Sequence, residues 1–586
     1  MDKRTVIAFV LIGLILFFYG DFIKWLYPPP TTIPSDSLSH VVDNQSLTRE
    51  GFESTGLSTG RNVIPGLTAA DVDAAAILDS MEAYASTIVP APTRLITIDT
   101  ERYRAVISTD GAQFKSLQLK PYKRYMPERV ELIPDAPGAR PAFRFWTKDG
   151  QVETTDLDFT VEGDEGTEDY SLEFRGSTTE SLRLIASLGN GRALRVTYTF
   201  TGDKFQMLCN AEGIGMSDVW VRDYAEAIWR GGLSYTELDS AQDQAFSMAY
   251  TLYAGDVLEE QKIESKAEMN GPSEGKVRWT ALRTKYFMVA MLPETADAVG
   301  GWMESRPDST YRGDFPPNRL GIGMRLPVVN GSLATPVRIF AGPIDDELVA
   351  EVDPTLKKTM NFGWAIIAPF SKATLWGLKA MYKIIPNYGV CIIIFSILIK
   401  LIIWPLTHKQ YSSMAGMQRV QPQLTVLREK YKGDPARLNK EMMKLYKDEK
   451  INPMGGCLPM LLQIPLLWAL FTVFRSTIEF RLAPFAFWIH DLSLPDYVFT
   501  LPFAIPIYGA QFAILPVLMA VSTFYQTKLT MTDPNQKAML YMMPVMMLLF
   551  FNGFPSGLNL YYTLLNVWTY VQQKITPLPK ATPQST

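Results

Sequence analysis

Histidine and cysteine are almost absent from this 586-residue chain, with three of each: His40, His408 and His490, and Cys209, Cys391 and Cys457. The cysteines form no even framework and no C-x-x-C pair, which argues against structural disulfides and a cysteine-ligated metal. No histidine falls within residues 93–358, so a His-based acid, base or metal site is excluded there. G-x-S-x-G and H-E-x-x-H strings are missing as well. G-P-S-E-G-K-V at 271–277 has the wrong spacing for a phosphate-binding loop and lacks its Ser or Thr, and reads as a hairpin turn. These absences point away from an enzyme, a cofactor and a metal site.

Charge is unevenly spread. Residues 21–360 carry 50 acids and 34 bases, while the remainder carries 10 acids and 22 bases, for a net charge of −4. Long apolar runs are missing from the middle and concentrate in the first 20 residues and after about residue 361. Residues 6–20, V-I-A-F-V-L-I-G-L-I-L-F-F-Y-G, are uncharged and follow Lys3 and Arg4. They are shorter than the ~20 residues of a typical span, so a cleaved signal peptide and an uncleaved anchor both fit. The lack of a small-x-small site after them favours an anchor with its basic end in the cytoplasm.

Further apolar stretches at 387–406, 455–478, 509–527, 538–554 and 557–573 are each about long enough to cross a bilayer. Residues 407–454 hold 10 Lys or Arg against 5 Asp or Glu, whereas 479–506 hold Arg481 as their only base. The positive-inside rule then places both termini and 407–454 in the cytoplasm, with 21–386 and 479–506 outside. Between the soluble part and the first of these stretches, Lys372, Lys379 and Lys383 alternate with apolar residues and with Trp364 and Trp376. That pattern suits an amphipathic helix in the membrane interface, the alternative being a helix packed on the soluble domain.

The middle of the chain reads as β structure. Period-two runs such as T-R-L-I-T-I-D-T, Y-R-A-V-I-S-T and L-R-V-T-Y-T-F, separated by Gly, Asp and Pro, predict an all-β domain built as a large sandwich. The expected division is a transmembrane signal anchor at 1–27, an extracytoplasmic tether at 28–92 and the β domain at 93–358. An interfacial helix follows at 359–386, then a five-helix core at 387–575 with a cytoplasmic helical hairpin at 407–454, and a tail at 576–586. The fold class is thus an α-helical polytopic membrane protein with an all-β extracytoplasmic domain.

Two features could carry function. Lys400 is the one charge well inside an otherwise apolar stretch, where an ion is costly unless hydrated or paired. It serves either as a working charge or as a side chain snorkelling to the cytoplasmic surface. The 407–454 hairpin combines basic charge with Met414, Met417, Met442 and Met443, which could give an adaptable apolar surface; a solvated helical pair is the alternative.

Four strings are specific: P-L-T-H-K-Q-Y-S-S-M-A-G-M at 405–417, I-N-P-M-G-G-C-L-P-M-L-L-Q-I-P at 451–465, A-P-F-A-F-W-I-H-D-L-S at 483–493 and F-P-S-G-L-N-L-Y-Y at 554–562. In this order they resemble the YidC/Oxa family of membrane protein insertases. D-G-A-Q-F-K-S-L-Q-L at 110–119, K-Y-F at 285–287 and F-A-G-P at 340–343 resemble the periplasmic domain of its Gram-negative members. The resemblance implies a five-helix core around a hydrophilic groove open to cytoplasm and lipid, and a periplasmic β-supersandwich. It aligns Lys400 with a groove position that the family usually fills with Arg; Lys keeps the charge and loses the planar fork. Gln463 and Tyr562 become groove-lining candidates, or alternatively interhelical hydrogen-bonding residues. The implied role is an insertase and chaperone of the bacterial inner membrane, acting alone or with the Sec translocon, without nucleotide hydrolysis. Its implied partners are nascent membrane-protein clients, a transiently docked ribosome and membrane lipids, with no nucleic-acid substrate.

Overall fold

The computed structural model describes residues 92–123, 129–134, 140–148, 150–164, 166–263, 268–306, 320–449, 458–505, 508–530 and 537–575. The apolar segment at 6–20, the tether through residue 91, the first part of the 451–465 string and the tail from 576 lie outside the described residues. The chain divides after Gly342 into two compact units.

The first unit is β-rich. A five-stranded sheet runs in the order Arg129–Glu131, Gln113–Lys123, Tyr103–Ser108, Leu95–Asp99 and Tyr170–Glu173, the last pair parallel. A second sheet has 15 strands. Along its strand Arg192–Thr201, Leu194, Val196, Tyr198 and Phe200 are buried while the residues between them are partly exposed, the alternation of a sheet with one covered face. Rings from the two sheets meet in the core: Phe114 lies 5.5 Å from Tyr198 and 6.4 Å from Trp229, and Phe174 lies 5.9 Å from Phe200. Tyr198 Oη donates to the Ala112 carbonyl at 2.6 Å, giving the buried hydroxyl an acceptor. The 110–119 string therefore supplies a tight turn and a core strand.

The short helix α1 (Ser240–Phe246) carries the fully buried Asp243. Its carboxylate accepts the backbone N–H groups of Thr236 at 2.7 Å and Lys285 at 2.9 Å, so the K-Y-F string is fastened by its first amide. The 271–277 segment departs from the expected hairpin turn. It runs inside the long strand Glu268–Arg283, with register shifts against Ala298–Ser305 on both sides of Ser273–Glu274. Pro272 has no N–H for the ladder and Gly275 takes φ +155°, so the Gly and Pro that suggested a turn serve as irregularities within a strand.

The second unit is helical: α2 (Asp346–Val352), α3 (Ala368–Tyr382), α4 (Tyr388–Lys430), α5 (Pro435–Asp448), α6 (Leu458–Ser476), α7 (Ile514–Thr530), α8 (Lys537–Phe551) and α9 (Ser556–Ile575). Its core joins Leu375 and Leu378 of α3, Cys391 and Phe395 of α4, Leu470 and Phe474 of α6, Leu515 and Met519 of α7, Phe551 of α8, and Leu558 and Tyr561 of α9. Among the described residues, Tyr388–His408 is the one helical stretch long and apolar enough by length and composition to cross a membrane; Leu540–Phe551 is apolar but shorter.

Two elements differ from the sequence reading. Helix α4 continues unbroken for 43 residues, past the end of its apolar stretch into the charged segment, although Pro405 and Pro422 each remove one N–H from its ladder. The stretch at 509–527 is not helical from its start. Gly509–Ala513 pair antiparallel with Tyr497–Ile505, and α7 begins only at Ile514.

Candidate functional site

Lys400 lies on α4 and is buried, with 6% of its surface exposed. Its Nζ donates to Thr569 Oγ1 of α9 at 2.8 Å, and Thr569 in turn donates to the Leu565 carbonyl at 2.7 Å. Ser396 and Thr407 occupy the same side of α4, at intervals of four and seven residues from Lys400. Trp568 Nε1 donates to Ser396 Oγ at 3.0 Å, and Gln572 Nε2 to Thr407 Oγ1 at 3.0 Å. One turn earlier on α9, Asn566 Nδ2 donates to Thr523 Oγ1 at 2.9 Å and Ser522 Oγ at 3.2 Å on α7. Helix α9 thus carries a polar stripe tied to α4 on one side and α7 on the other. Among the described residues Lys400 has no carboxylate within ion-pairing distance, so its charge has no counter-charge within the described chain. An ammonium has three donors, of which Thr569 takes one.

Tyr562 precedes Thr569 by seven residues, two turns along the same face of α9 and roughly 10 Å away along the axis. Its Oη is buried without a hydrogen-bond partner among the described residues, and its ring lies 6.1 Å from Phe551 of α8. Gln463, on α6, is half-buried and makes none of the hydrogen bonds of the stripe. Thr569, Asn566, Gln572 and Ser396 were not singled out from the sequence. The available signal on α9 was spacing: Tyr562, Asn566, Thr569 and Gln572 recur at three or four residues, a polar line through an apolar helix.

The α4–α5 hairpin turns at Tyr431–Asp434, where Asp434 Oδ1 caps α5 by accepting the Arg437 N–H at 3.0 Å. Met417 and Met442 pack within its seam against Val420, Leu424 and Tyr446. Met443 is 61% exposed, and the Met414 side chain lies outside what is described.

Helix α3 rests on the helical unit through Leu375 and Leu378, leaving Trp376 73% exposed and Trp364 and Ile366 exposed at the approach to its first turn. Lys379 does not point outward. Its Nζ lies 3.2 Å from Asp345, 3.6 Å from Glu347 and 3.2 Å from Glu479, which sits in the short 3-10 turn Ile478–Phe480 after α6.

The strings at 483–493 and 554–562 fold against each other. Asp491 Oδ1 accepts both the amide and the hydroxyl of Ser493 at 2.7 Å, Ser556 Oγ donates to the Asp491 carbonyl at 2.8 Å, and the Gly557 amide donates to the Leu492 carbonyl at 3.0 Å. A Cβ on Gly557 would meet the Phe474 ring at 2.9 Å, and one on Gly389 would meet the Phe485 ring at 2.0 Å. Those two positions hold glycine because neighbouring rings close over the backbone.

Two family models match, one described as 60Kd inner membrane protein over residues 380–580 and one as YidC periplasmic domain over residues 95–372. The membrane protein insertase YidC of Chlorobaculum parvum is 34% identical over 579 residues, covering 98% of this chain and 94% of the relative. The chain belongs to the YidC/Oxa family of membrane protein insertases. The YidC of Chlorobium luteolum is 37% identical over 498 residues, 82% of each chain. Family membership makes the protein an insertase of the inner membrane with a periplasmic domain, and not an enzyme. Among the described residues no cluster of three His, Cys, Asp or Glu could hold a metal ion.

Proposed function

We propose that the α4–α7–α9 polar stripe, centred on Lys400, is the recess through which membrane-protein clients pass their polar extracytoplasmic segments. The observation that supports this most directly is the buried Lys400 ammonium, held by Thr569 and lacking a counter-charge among the described residues. A polar segment crossing hydrocarbon leaves backbone groups unpaired, each costing several kcal/mol. A recess lined by hydroxyl and amide groups shortens the dry path, and a positive charge within it attracts acidic residues of the client. The client's apolar segment then partitions into lipid beside the stripe, and that transfer supplies the free energy. No nucleotide enters this scheme.

In this reading the N-terminal segment anchors the chain, five further helices span the inner membrane with both termini cytoplasmic, and the β unit is periplasmic. Helix α3 lies in the interface with its exposed Trp376, and Trp364 just before it, toward lipid. The α4–α5 hairpin meets emerging clients at the cytoplasmic surface, with Met443 as its exposed apolar contact. The translating ribosome and the Sec translocon are the partners this placement suits.

The test is insertion of a single-spanning client with an acidic extracytoplasmic segment into proteoliposomes containing the full-length protein. Lys400→Arg should sustain insertion, and Lys400→Ala and Lys400→Glu should lose most of it. Equal insertion by all variants would reduce Lys400 to a structural lysine and remove the charge from the mechanism.

A further inference from the structure

The pair of strands Tyr497–Ile505 and Gly509–Ala513 is built unlike the sheets of the β unit. Strands of those sheets bury one face, as Arg192–Thr201 does, or both, as Phe287–Pro293 does, whereas Tyr497–Ile505 is exposed or half-exposed along its whole length, so the described residues cover neither face of that strand. The large exposed residues are apolar, Tyr497, Val498, Phe499, Phe503 and Ile505, with Thr500 and, on the partner strand, Gln511 as the exposed uncharged polar ones. Phe503 is 63% exposed. No Asp, Glu, Lys or Arg occurs from Tyr497 to Thr527. Soluble proteins blunt free strand edges with charge, bulges or coverage, and a bare apolar hairpin is an association hazard.

The hairpin is nevertheless firmly rooted. Asn552, just after α8, donates from Nδ2 to the carbonyls of Tyr508 at 2.9 Å and Gln511 at 2.8 Å, and its Oδ1 accepts the Ala513 amide at 3.3 Å. On the other side, Asp496 Oδ2 accepts Trp488 Nε1 at 2.9 Å and the Leu515 and Ile514 amides at 2.8 and 3.1 Å, fixing the start of α7. Phe499 and Phe512 stack with ring centroids 4.8 Å apart, stiffening the ribbon. The strand Gly509–Ala513 then runs directly into α7, whose Leu518, Val521 and Tyr525 are exposed.

We infer that this hairpin is a membrane-dipping element, seated in the headgroup and upper acyl region of the extracytoplasmic leaflet. The inference rests on the spanning topology proposed above. The hairpin leads without a break in the chain into α7, where Leu518, Val521 and Tyr525 are exposed, so both present apolar side chains to their surroundings. Its aromatic content matches the ring-rich belt that proteins place at the bilayer interface. Its depth is bounded by its backbone: a two-stranded ribbon has unpaired outer N–H and C=O groups, which hydrocarbon cannot satisfy and the hydrated headgroup zone can. The shared chemistry of ring side chains and free edges therefore selects a depth of about 5–10 Å into the headgroup and acyl boundary.

The test uses full-length protein in lipid nanodiscs, spin-labelled at single cysteines introduced by Phe503→Cys, Phe499→Cys, Leu518→Cys and Glu180→Cys after replacement of the native cysteines by serine. Accessibility is read with molecular oxygen, which partitions into lipid, and a nickel chelate, which stays in water. The expected result is a several-fold higher oxygen-to-nickel ratio at positions 503 and 499 than at 180, with the ratio at 518 at least as high. Nickel access at 503 and 499 equal to that at 180, with 518 still in lipid, overturns the dipping hairpin and leaves the spanning reading intact. Nickel access at 518 as well overturns both. Protection from both reagents at 503 and 499 means that a protein surface covers the hairpin, which also overturns the inference.

Discussion

Lys379 Nζ lies 3.2 Å from the buried Glu479 Oε1, and this ion pair fastens α3 to the segment that follows α6. Burial pushes the Glu479 carboxyl above the usual range, and Lys379 opposes the rise. Burial alone would lower Lys379; Glu479 and Asp345 outweigh it and hold the ammonium well above the ordinary lysine value. Removing one partner strands the other charge, whereas replacing both with apolar groups removes the desolvation along with the attraction. Lys379→Met should therefore destabilise the detergent-solubilised protein by about 3–5 kcal/mol. The double variant Lys379→Met/Glu479→Leu should recover part of that loss in thermal unfolding, the Asp345 carboxylate remaining without its lysine. A double variant as unstable as the single one would place the cost in packing instead.

Thr569 positions Lys400, so the hydroxyl should matter for insertion while the fold tolerates its loss. A hydrogen bond to a charged group is worth about 1.5–3 kcal/mol. Thr569→Val should slow insertion of acidic-segment clients in proteoliposomes, and Thr569→Ser should restore it. The melting temperature serves as the control, and equal rates for Val and Ser would remove Thr569 from the mechanism.

In the β unit, Glu226 is buried with Arg144 and Arg325 at 3.2 Å and Trp302 Nε1 at 3.3 Å. Glu226→Ala leaves two guanidinium groups without this carboxylate in a poorly hydrated site, and the expected loss is about 3–5 kcal/mol. Faster hydrogen exchange in the strand Leu320–Val329, which carries Arg325, is the local signature to measure.

Glu153 gives a pH dependence with a definite sign. Burial raises its carboxyl, but hydrogen bonding and charge from Arg144 and Arg230 outweigh it and hold the group below the usual range. A depressed folded value means stability that is present above the unfolded glutamate value, about 4.3, and is lost as pH falls through the lower folded value. The melting-temperature advantage of wild type over Glu153→Gln should be full at neutral pH and shrink below about pH 4. An advantage that stays constant through that range would remove the charge from the explanation.

Gly389 offers a steric test. Its missing Cβ would lie 2.0 Å from the Phe485 ring, so Gly389→Ala must displace α4 or the ring. Overpacking of this kind costs typically ~1–3 kcal/mol. Adding Phe485→Ala removes the clash and should leave the double variant less destabilised than the sum of the two single ones, as read by thermal unfolding.

The broad division into a β-rich and a helical part was legible because period-two alternation and apolar runs are properties of local sequence. Arg192–Thr201 shows why: its alternation is imposed by one buried face and needs no knowledge of partners. The hairpin at 497–513 was not legible, since an uncharged apolar run gives the same signal in a strand and in a helix. The pairing of Lys379 was hidden for a different reason. Helical spacing marked it only as one of three lysines alternating with apolar residues, and its carboxylate partners Asp345 and Glu479 are 34 and 100 residues away in sequence. Lys400 was visible as a lone charge in an apolar stretch, while its burial and its acceptor Thr569, 169 residues on, required the fold.

The unbroken course of α4 makes it a lever. From Lys400 to Lys430 the helix extends thirty residues, roughly 45 Å, with Pro405 and Pro422 as its two points of greatest compliance. Force applied at the hairpin end is carried along that arm toward Ser396, Lys400 and Thr407, the residues that fasten α4 to α9. The stiffness between the two prolines sets how much of a pull at the tip arrives as torque on those fastenings.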